Sequence, residues 1–352
     1  MTVTNLHTFM LAPMAELGHR ALRELIHGFF SSLEPNSAGL ALAPQASVSY
    51  FTEMISAAGL LAGGPFEKWY LDNGPCPRQL VYQLVGANPD QLVKAAILLD
   101  RQECLGIDIN MGCSAPAITR TGAGVRWMED PDNAARLAER LRKVTKKQLS
   151  VKIRLGPKVS GYKSHTSPNP ENTFDMGAEP ENLQDFPFLL RFCRGLEEAG
   201  IDLIILHPRG AREKFKRRAR WEYVEALRKE LDIPMAGNGD ISSIEEFTRK
   251  ADAGPVMAGR LLVREPWAFA AVSVFPGDGP KYNVEETGFR FLELLARYQP
   301  PEFHLSRARR FFRYFCENVS WAEHLRNNIN REDSLTGIEK VWREYFSEAI
   351  VS

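Results

Sequence analysis

Lys152 in the run SVKIRLG, His207 at the end of LIILH, Gln83 at the end of LVYQ and Asn110 at the end of GIDIN place polar groups at or near the ends of short apolar segments. Such groups can bind, polarise or protonate a ligand. Met14 follows LAP, while Asn238 to Asp240 and Gly259-Arg260 close two more such segments. A buried hydrophobic sheet does not need these side chains. Singly each has a plain explanation: Gln83 as a strand cap, Lys152 as a snorkelling amine, His207 as a satisfied core histidine. Recurring together, they point to one shared mouth, because the parallel strands of a barrel bring their C-terminal ends together there.

The chemistry expected at that mouth is anion binding and proton transfer. Gly237-Asn238-Gly239-Asp240 and Ala258-Gly259-Arg260 each follow a strand-like run. Glycine there lets backbone N–H groups approach a phosphate, and Arg260 adds charge-assisted bonds. Tight turns alone would explain one such segment, but two in succession favour a phosphate site. Lys152 then puts a cation near the electron-rich part of a flavin, so a phosphate-bearing cofactor such as FMN is the expected occupant. Cys113 follows Asn110-Met111-Gly112 just past a strand end, where a thiol can act as nucleophile or acid. The other cysteines fall in helical or loop segments and read as structural.

These residues must be positioned by elements, and the alternation of short apolar runs with amphipathic stretches supplies them. Eight candidate strands fall at 8–12, 46–53, 80–86, 106–110, 149–155, 201–207, 233–237 and 255–259. Stretches such as 132–144 and 244–251 carry apolar residues at helical spacing, as helices covering a barrel would. Eight βα units predict an α/β protein with a (β/α)8 TIM barrel over residues 1–278. An aperiodic Pro- and Gly-rich insertion lies at 157–185, after the fifth strand. Pro276, Gly277, Gly279 and Pro280 mark a linker, and helical patterns at 285–297, 302–316, 321–328 and 337–349 predict a small C-terminal all-helical domain over 284–352.

The 352 residues are 44% hydrophobic and 25% charged, with 44 basic against 44 acidic side chains, which excludes disorder, collagen and disulfide scaffolds. Five cysteines without a CxxC pair argue against a zinc site and for a reducing compartment. The start lacks a signal-peptide pattern and no apolar run is long enough to span a bilayer, so a cytoplasmic, metal-free, non-membrane monomer is expected. Within a chain of zero net charge, two local basic clusters stand out. One runs from His207 to Trp221, with Arg209, Arg212, Lys214, Lys216, Arg217, Arg218 and Arg220 against Glu213. In the helical part, Arg307, Arg309, Arg310, Arg313, Arg326 and Arg331 accompany Phe311, Phe312, Tyr314 and Phe315. The aromatics read as a core stripe and the two clusters as a phosphate-backbone surface.

In order along residues 8–328, LAPMAELGHRALR, FTEMISAAGL, QLVGANPDQL, IDINMGCSAP, VKIRLG, LHPRG, GNGDI and AGR, followed by RRFFRYFCENVSWAEHLR, resemble the tRNA-dihydrouridine synthases. The resemblance implies FMN contacts from Pro13, Met14, Gln83, Lys152, His207, Asn238, Gly239, Asp240, Gly259 and Arg260. It implies NADPH as reductant, Cys113 as proton donor to a uracil flipped out of RNA, most naturally tRNA, and RNA contacts from Asn110, Arg209, Arg309 and Arg310. The chain departs from the family's N-x-G-C-P motif and the basic residue after it: Ser114, Ala115 and Pro116 follow Cys113, and Arg120 is the nearest replacement charge. Glu16 stands where the family has glycine, and Pro208 and Gly210 alter the histidine motif. These departures mark a divergent member. The alternatives are a flavin oxidoreductase acting on a free pyrimidine and a catalytically altered RNA-binding relic.

Overall fold

The computed structural model describes residues 7–32, 46–156, 185–213, 217–273 and 282–349. Eight strands, β1 (His7–Leu11), β2 (Ala46–Ser56), β3 (Leu80–Val85), β4 (Gly106–Met111), β5 (Gln148–Arg154), β6 (Leu203–His207), β7 (Met235–Asn238) and β8 (Val256–Ala258), pair in parallel in chain order. β8 closes on β1, with Phe9 opposite Val256. This is the expected TIM barrel. β2 outruns its expected end at 53 because pairing with β3 resumes at Met54, opposite Gln83, after an irregularity following Phe51. The insertion expected at 157–185 and the linker residues 276–280 lie outside the described residues, except for Asp185.

The helices are α1 (Arg20–Ser31), α2 (Ala57–Ala62), α3 (Glu67–Tyr70), α4 (Pro89–Asp100), α5 (Pro116–Thr119), α6 (Pro131–Arg142), α7 (Phe186–Glu198) and α8 (Glu222–Glu230). They continue with α9 (Ile244–Ala251), α10 (Arg260–Arg264), α11 (Ala268–Val272), α12 (Val284–Tyr298), α13 (Pro301–Phe315), α14 (Ala322–Arg331) and α15 (Leu335–Ala349). Their starts follow from the sequence: Asn88, Asp130, Ser243 and Asn283 cap α4, α6, α9 and α12 through side-chain oxygens. Proline opens α4, α6 and α13, where its missing N–H costs nothing.

The sheet buries two separate apolar layers. Alternate residues such as Ile107, Ile109, Val151 and Ile153 face the surrounding helices, whereas Met10, Ala12, Phe51, Val81, Leu203, Ile205, Ala236 and Met257 fill the barrel interior. The C-terminal helical region has its own aromatic centre. Phe291 of α12 stacks on Phe311 of α13 with ring centroids 3.7 Å apart, and Phe312 and Phe315 pack on Trp342 of α15. The aromatic face of α13 is therefore core, as its spacing predicts.

One buried ion pair ties this region to the barrel. Arg307 of α13 meets the Glu53 carboxylate of β2 at 2.9 Å, with both side chains under a tenth exposed. Arg307 thus leaves the basic surface to which its sequence context assigns it. Arg307→Met strands the Glu53 carboxylate in a buried place, and we expect a loss of about 3 kcal/mol in urea unfolding. Glu53→Gln with Arg307→Met should recover most of that loss, because the orphaned charge is then gone.

Candidate active site

The two-residue period of the strands sets the site. Residues 81 and 83 on β3, 108 and 110 on β4, 150 and 152 on β5, 205 and 207 on β6, and 236 and 238 on β7 point into the barrel in successive layers. Two residues back from the strand ends, the inward positions mix apolar Val81, Ile205 and Ala236 with Asp108 and Ser150. The last inward residues of the five strands are Gln83, Asn110, Lys152, His207 and Asn238, and all five line a cavity of about 560 Å³ at the C-terminal mouth.

Past the strand ends, Pro13, Met14, Cys113, Gly239, Asp240, Gly259 and Arg260 line the same cavity, together with Arg209 and Arg310. The sequence-predicted site residues thus come together, with one exception. Arg309 lines a neighbouring cleft of about 550 Å³ with Arg310, Arg313 and Arg326, and its Nη2 donates to the Glu332 carbonyl. Arg209, expected as an RNA contact, lines the cavity as a buried residue. It is 2% exposed and closes on Asp240 through two bonds of 2.6 and 2.5 Å. Its Nη1 lies 2.9 Å from His207 Nε2.

That contact assigns the imidazole. A guanidinium only donates, so His207 Nε2 accepts and the ring is neutral with its proton on Nδ1. Burial, then the charges of Lys152, Arg154 and Arg209, drive the His207 pKa far below its ordinary value. Burial pushes the Asp240 carboxyl up, but the Arg209 bond and the Ala219 amide outweigh it and the net shift is downward. Lys152 is lowered to about 8, by burial first and by Arg154 second. Arg154 was not read from the sequence, although it lies two residues beyond Lys152 on the same face of β5.

Cys113 is held on both sides. Asn110 Oδ1 accepts the Cys113 backbone N–H at 2.8 Å, and the Cys113 carbonyl accepts from Val125 N at 2.9 Å. Gly124, at φ +64°, passes so close that a Cβ there would lie 2.3 Å from the Cys113 oxygen. The displaced proline has a role of its own: Pro116 opens α5. Arg120 lies outside the cavity lining, donating to the Pro116 carbonyl at the exposed end of that helix. Glu16 adopts φ +64°, a conformation that glycine takes without strain. Its backbone N–H donates to Glu53 and its carboxylate accepts from Arg310 at 2.6 Å, so the strain is met by one contact within the barrel and one across the junction.

The donor set fits a phosphate-bearing anion. Lys152, Arg154, Arg209, Arg260, Arg310 and Arg313 line the cavity, against Asp240 as the one carboxylate among the lining residues. A Cβ at Gly239 (φ +116°) would come within 3.0 Å of His207 Nε2, and one at Gly259 within 3.0 Å of Met14 Sδ. The chain therefore approaches the cavity as bare backbone at both turns. Among the described residues no group of three metal-ligating side chains occurs, and no helix is long and apolar enough to cross a membrane.

Comparison with known proteins agrees with this picture. A family model described as dihydrouridine synthase (Dus) matches residues 10–167 and 183–350. A probable tRNA-dihydrouridine synthase of Aquifex aeolicus is 26% identical over 268 residues, 74% of this chain and 71% of its own length. Probable tRNA-dihydrouridine synthases of Synechocystis sp. and Rhizobium leguminosarum bv. phaseoli are each 25% identical, covering 83% and 88% of this chain and 77% and 86% of their own.

The Lys152 cation gives a first test of the site in the ligand-free chain. Its folded pKa of about 8 lies below the ordinary lysine value of 10.5, so between those values the unfolded chain binds more protons and stability rises with pH. Below about pH 8 the full penalty stands. Lys152→Met should therefore stabilise the ligand-free chain at pH 7 by on the order of 1 kcal/mol, with water in the cavity screening part of the cost. The gain should fade as denaturant unfolding is repeated toward pH 10.

Proposed function

The chain belongs to the dihydrouridine synthase family, and from that premise we propose that it reduces a uridine of RNA, tRNA foremost, to 5,6-dihydrouridine, with FMN at the barrel mouth and NADPH as reductant. The observation that supports this most is the single cavity in which the polar strand ends, two glycine turns and Cys113 meet. Met14, Gln83, Lys152 and His207 would hold the flavin ring, and Pro13 and Asn238 would shape its seat. Gly239, Gly259 and Arg260 would take the phosphate, with Asp240 keeping Arg209 and the Gly239 turn in place. Bound FMN supplies the chemistry of accepting a hydride from NADPH and returning one to C6 of a uracil ring.

The residues of the chain do the rest. Cys113 gives its thiol proton to C5, so that the C5–C6 double bond takes up a hydride and a proton and the sulfur is left as thiolate facing Lys152 and Arg154. Asn110 holds the loop that carries the thiol. A uridine in folded RNA must leave its stack to reach this mouth. Arg310 and Arg313 line both the mouth and the adjoining cleft, where Arg309 and Arg326 would meet the phosphate backbone. On this reading residues 1–278 are the catalytic barrel and 284–352 the RNA-binding part of a cytoplasmic, metal-free monomer.

The test uses single turnovers. The purified protein is reduced with NADPH without oxygen, and the visible flavin band is followed after unmodified tRNA transcripts are added. Cys113→Ala should keep the flavin and its reduction by NADPH, yet lose about 10²–10⁴ in RNA-dependent reoxidation. A variant reoxidised at the full rate would remove Cys113 from the mechanism. Reoxidation by free uridine in place of tRNA would favour the small-pyrimidine alternative, and a colourless protein the relic.

A further inference from the structure

Asp108 lies two residues before Asn110 on β4, outside the cavity lining and fully buried, and no step of the chemistry above uses it. Its register places it between Gln83 on β3 and Ser150 on β5, in one row across three strands. Ser150 Oγ donates to Asp108 Oδ1 at 2.6 Å and Gln83 Nε2 donates to Oδ2 at 2.7 Å. The row then climbs to the mouth: Asn110 Nδ2 donates to Gln83 Oε1 at 3.0 Å, and the backbone N–H groups of Gly112 and Cys113 donate to Asn110 Oδ1 at 3.3 and 2.8 Å.

Every bond from the Cys113 loop down to Asp108 runs in the same direction, and the ends explain why. A carboxylate only accepts and a backbone N–H only donates, whereas the two amides between them can present either face. With Asp108 ionised, Gln83 must turn its NH2 downward, which sends its oxygen up to Asn110. Asn110 must then give its NH2 to Gln83 and its oxygen to the Cys113 loop. Burial raises the Asp108 carboxyl to about 6 while the bonds from Ser150 and Gln83 oppose that rise, with Lys152 the charged group acting on it from the neighbouring strand.

We propose that Asp108 is a positioning residue whose acceptor-only carboxylate fixes the facing of the Gln83 and Asn110 amides and thereby seats the Cys113 loop. The importance of that seat for proton delivery rests on the function proposed above; the seat itself does not. A serine hydroxyl can donate or accept, so Asp108→Asn alone can keep the row by giving its NH2 to Ser150 Oγ and its oxygen to Gln83. Ser150→Ala alone leaves the carboxylate accepting from Gln83. In Asp108→Asn/Ser150→Ala neither remedy exists: the new amide either buries an unsatisfied NH2 against the Ala methyl or turns it on Gln83 and reverses the row.

The experiment is therefore a double-mutant cycle on the full chain, read by iodoacetamide labelling of the folded protein with peptide mass spectrometry. Cys113 should label less than about twofold faster in each single variant and at least about fivefold faster in the double. The buried Cys193 and Cys316 should stay protected in all of them. Asp108→Asn/Ser150→Thr, which returns a hydroxyl, should restore the slow rate, and Asp108→Asn/Ser150→Gly replaces the Ala double if that does not fold. Additive rates, or faster labelling of Cys193 and Cys316 in parallel with Cys113, would overturn the proposal, the latter in favour of a general packing role. RNA-dependent flavin reoxidation measured on the same proteins should show the same non-additivity. If the unmutated chain fails to reoxidise with RNA, the proposed function falls while the labelling cycle still decides the role of Asp108.

Discussion

The closed parallel sheet, with its strict alternation of inward and outward side chains, is the constraint on which everything else in this molecule depends. A one-residue slip of β4 would send Asp108 and Asn110 into the helix layer and bring Ile107 and Ile109 into the barrel. Register therefore fixes core and site at once. Outward positions are filled by aliphatic and aromatic side chains, and inward positions grade from apolar side chains to hydrogen-bonding groups toward the C-terminal mouth. Loops add the last pieces to the Lys152 and Arg154 cations of β5: a thiol after β4, Arg209 after β6, and bare backbone after β7 and β8.

Those cations are not equivalent. Arg209 neutralises Asp240 and keeps His207 an uncharged acceptor on that nitrogen, so it shapes the site without adding net charge to it. Lys152 and Arg154 stay charged on the cavity wall; burial lowers both, and repulsion from Arg154 lowers Lys152 further while repulsion from Arg209 lowers Arg154. An anionic occupant relieves that repulsion. The site is thus less stable empty than filled, a common arrangement where binding groups are held ready for a ligand.

The junction between barrel and helical region shows how one departure from the family's pattern can be accommodated. Glu16 occupies a left-handed backbone position suited to glycine, and its carboxylate reaches Arg310 while Glu53 reaches Arg307. Two acidic groups from the barrel thus meet two arginines of α13. This pairing also accounts for what was legible in the sequence and what was not. Strand positions, barrel closure, the helical C-terminal region and the gathering of the polar strand ends could be read from periodicity and motif order. The fates of Arg209 and Arg307 could not, because a run of arginines looks the same whether it faces solvent or distant acids, and both partners lie far along the chain. Asp108 passed unnoticed for a similar reason: an acid inside an apolar strand gains meaning only when its neighbours on two other strands are known.

Reduction of uridine within RNA at this mouth leaves a product that can be read directly. The most direct measurement is nucleoside analysis by mass spectrometry of an unmodified tRNA transcript incubated with the purified, flavin-loaded protein and NADPH. Dihydrouridine is expected at a defined position, dependent on NADPH and absent with Cys113→Ala. Transcript recovered with every uridine intact, from protein whose flavin NADPH does reduce, would contradict it for tRNA.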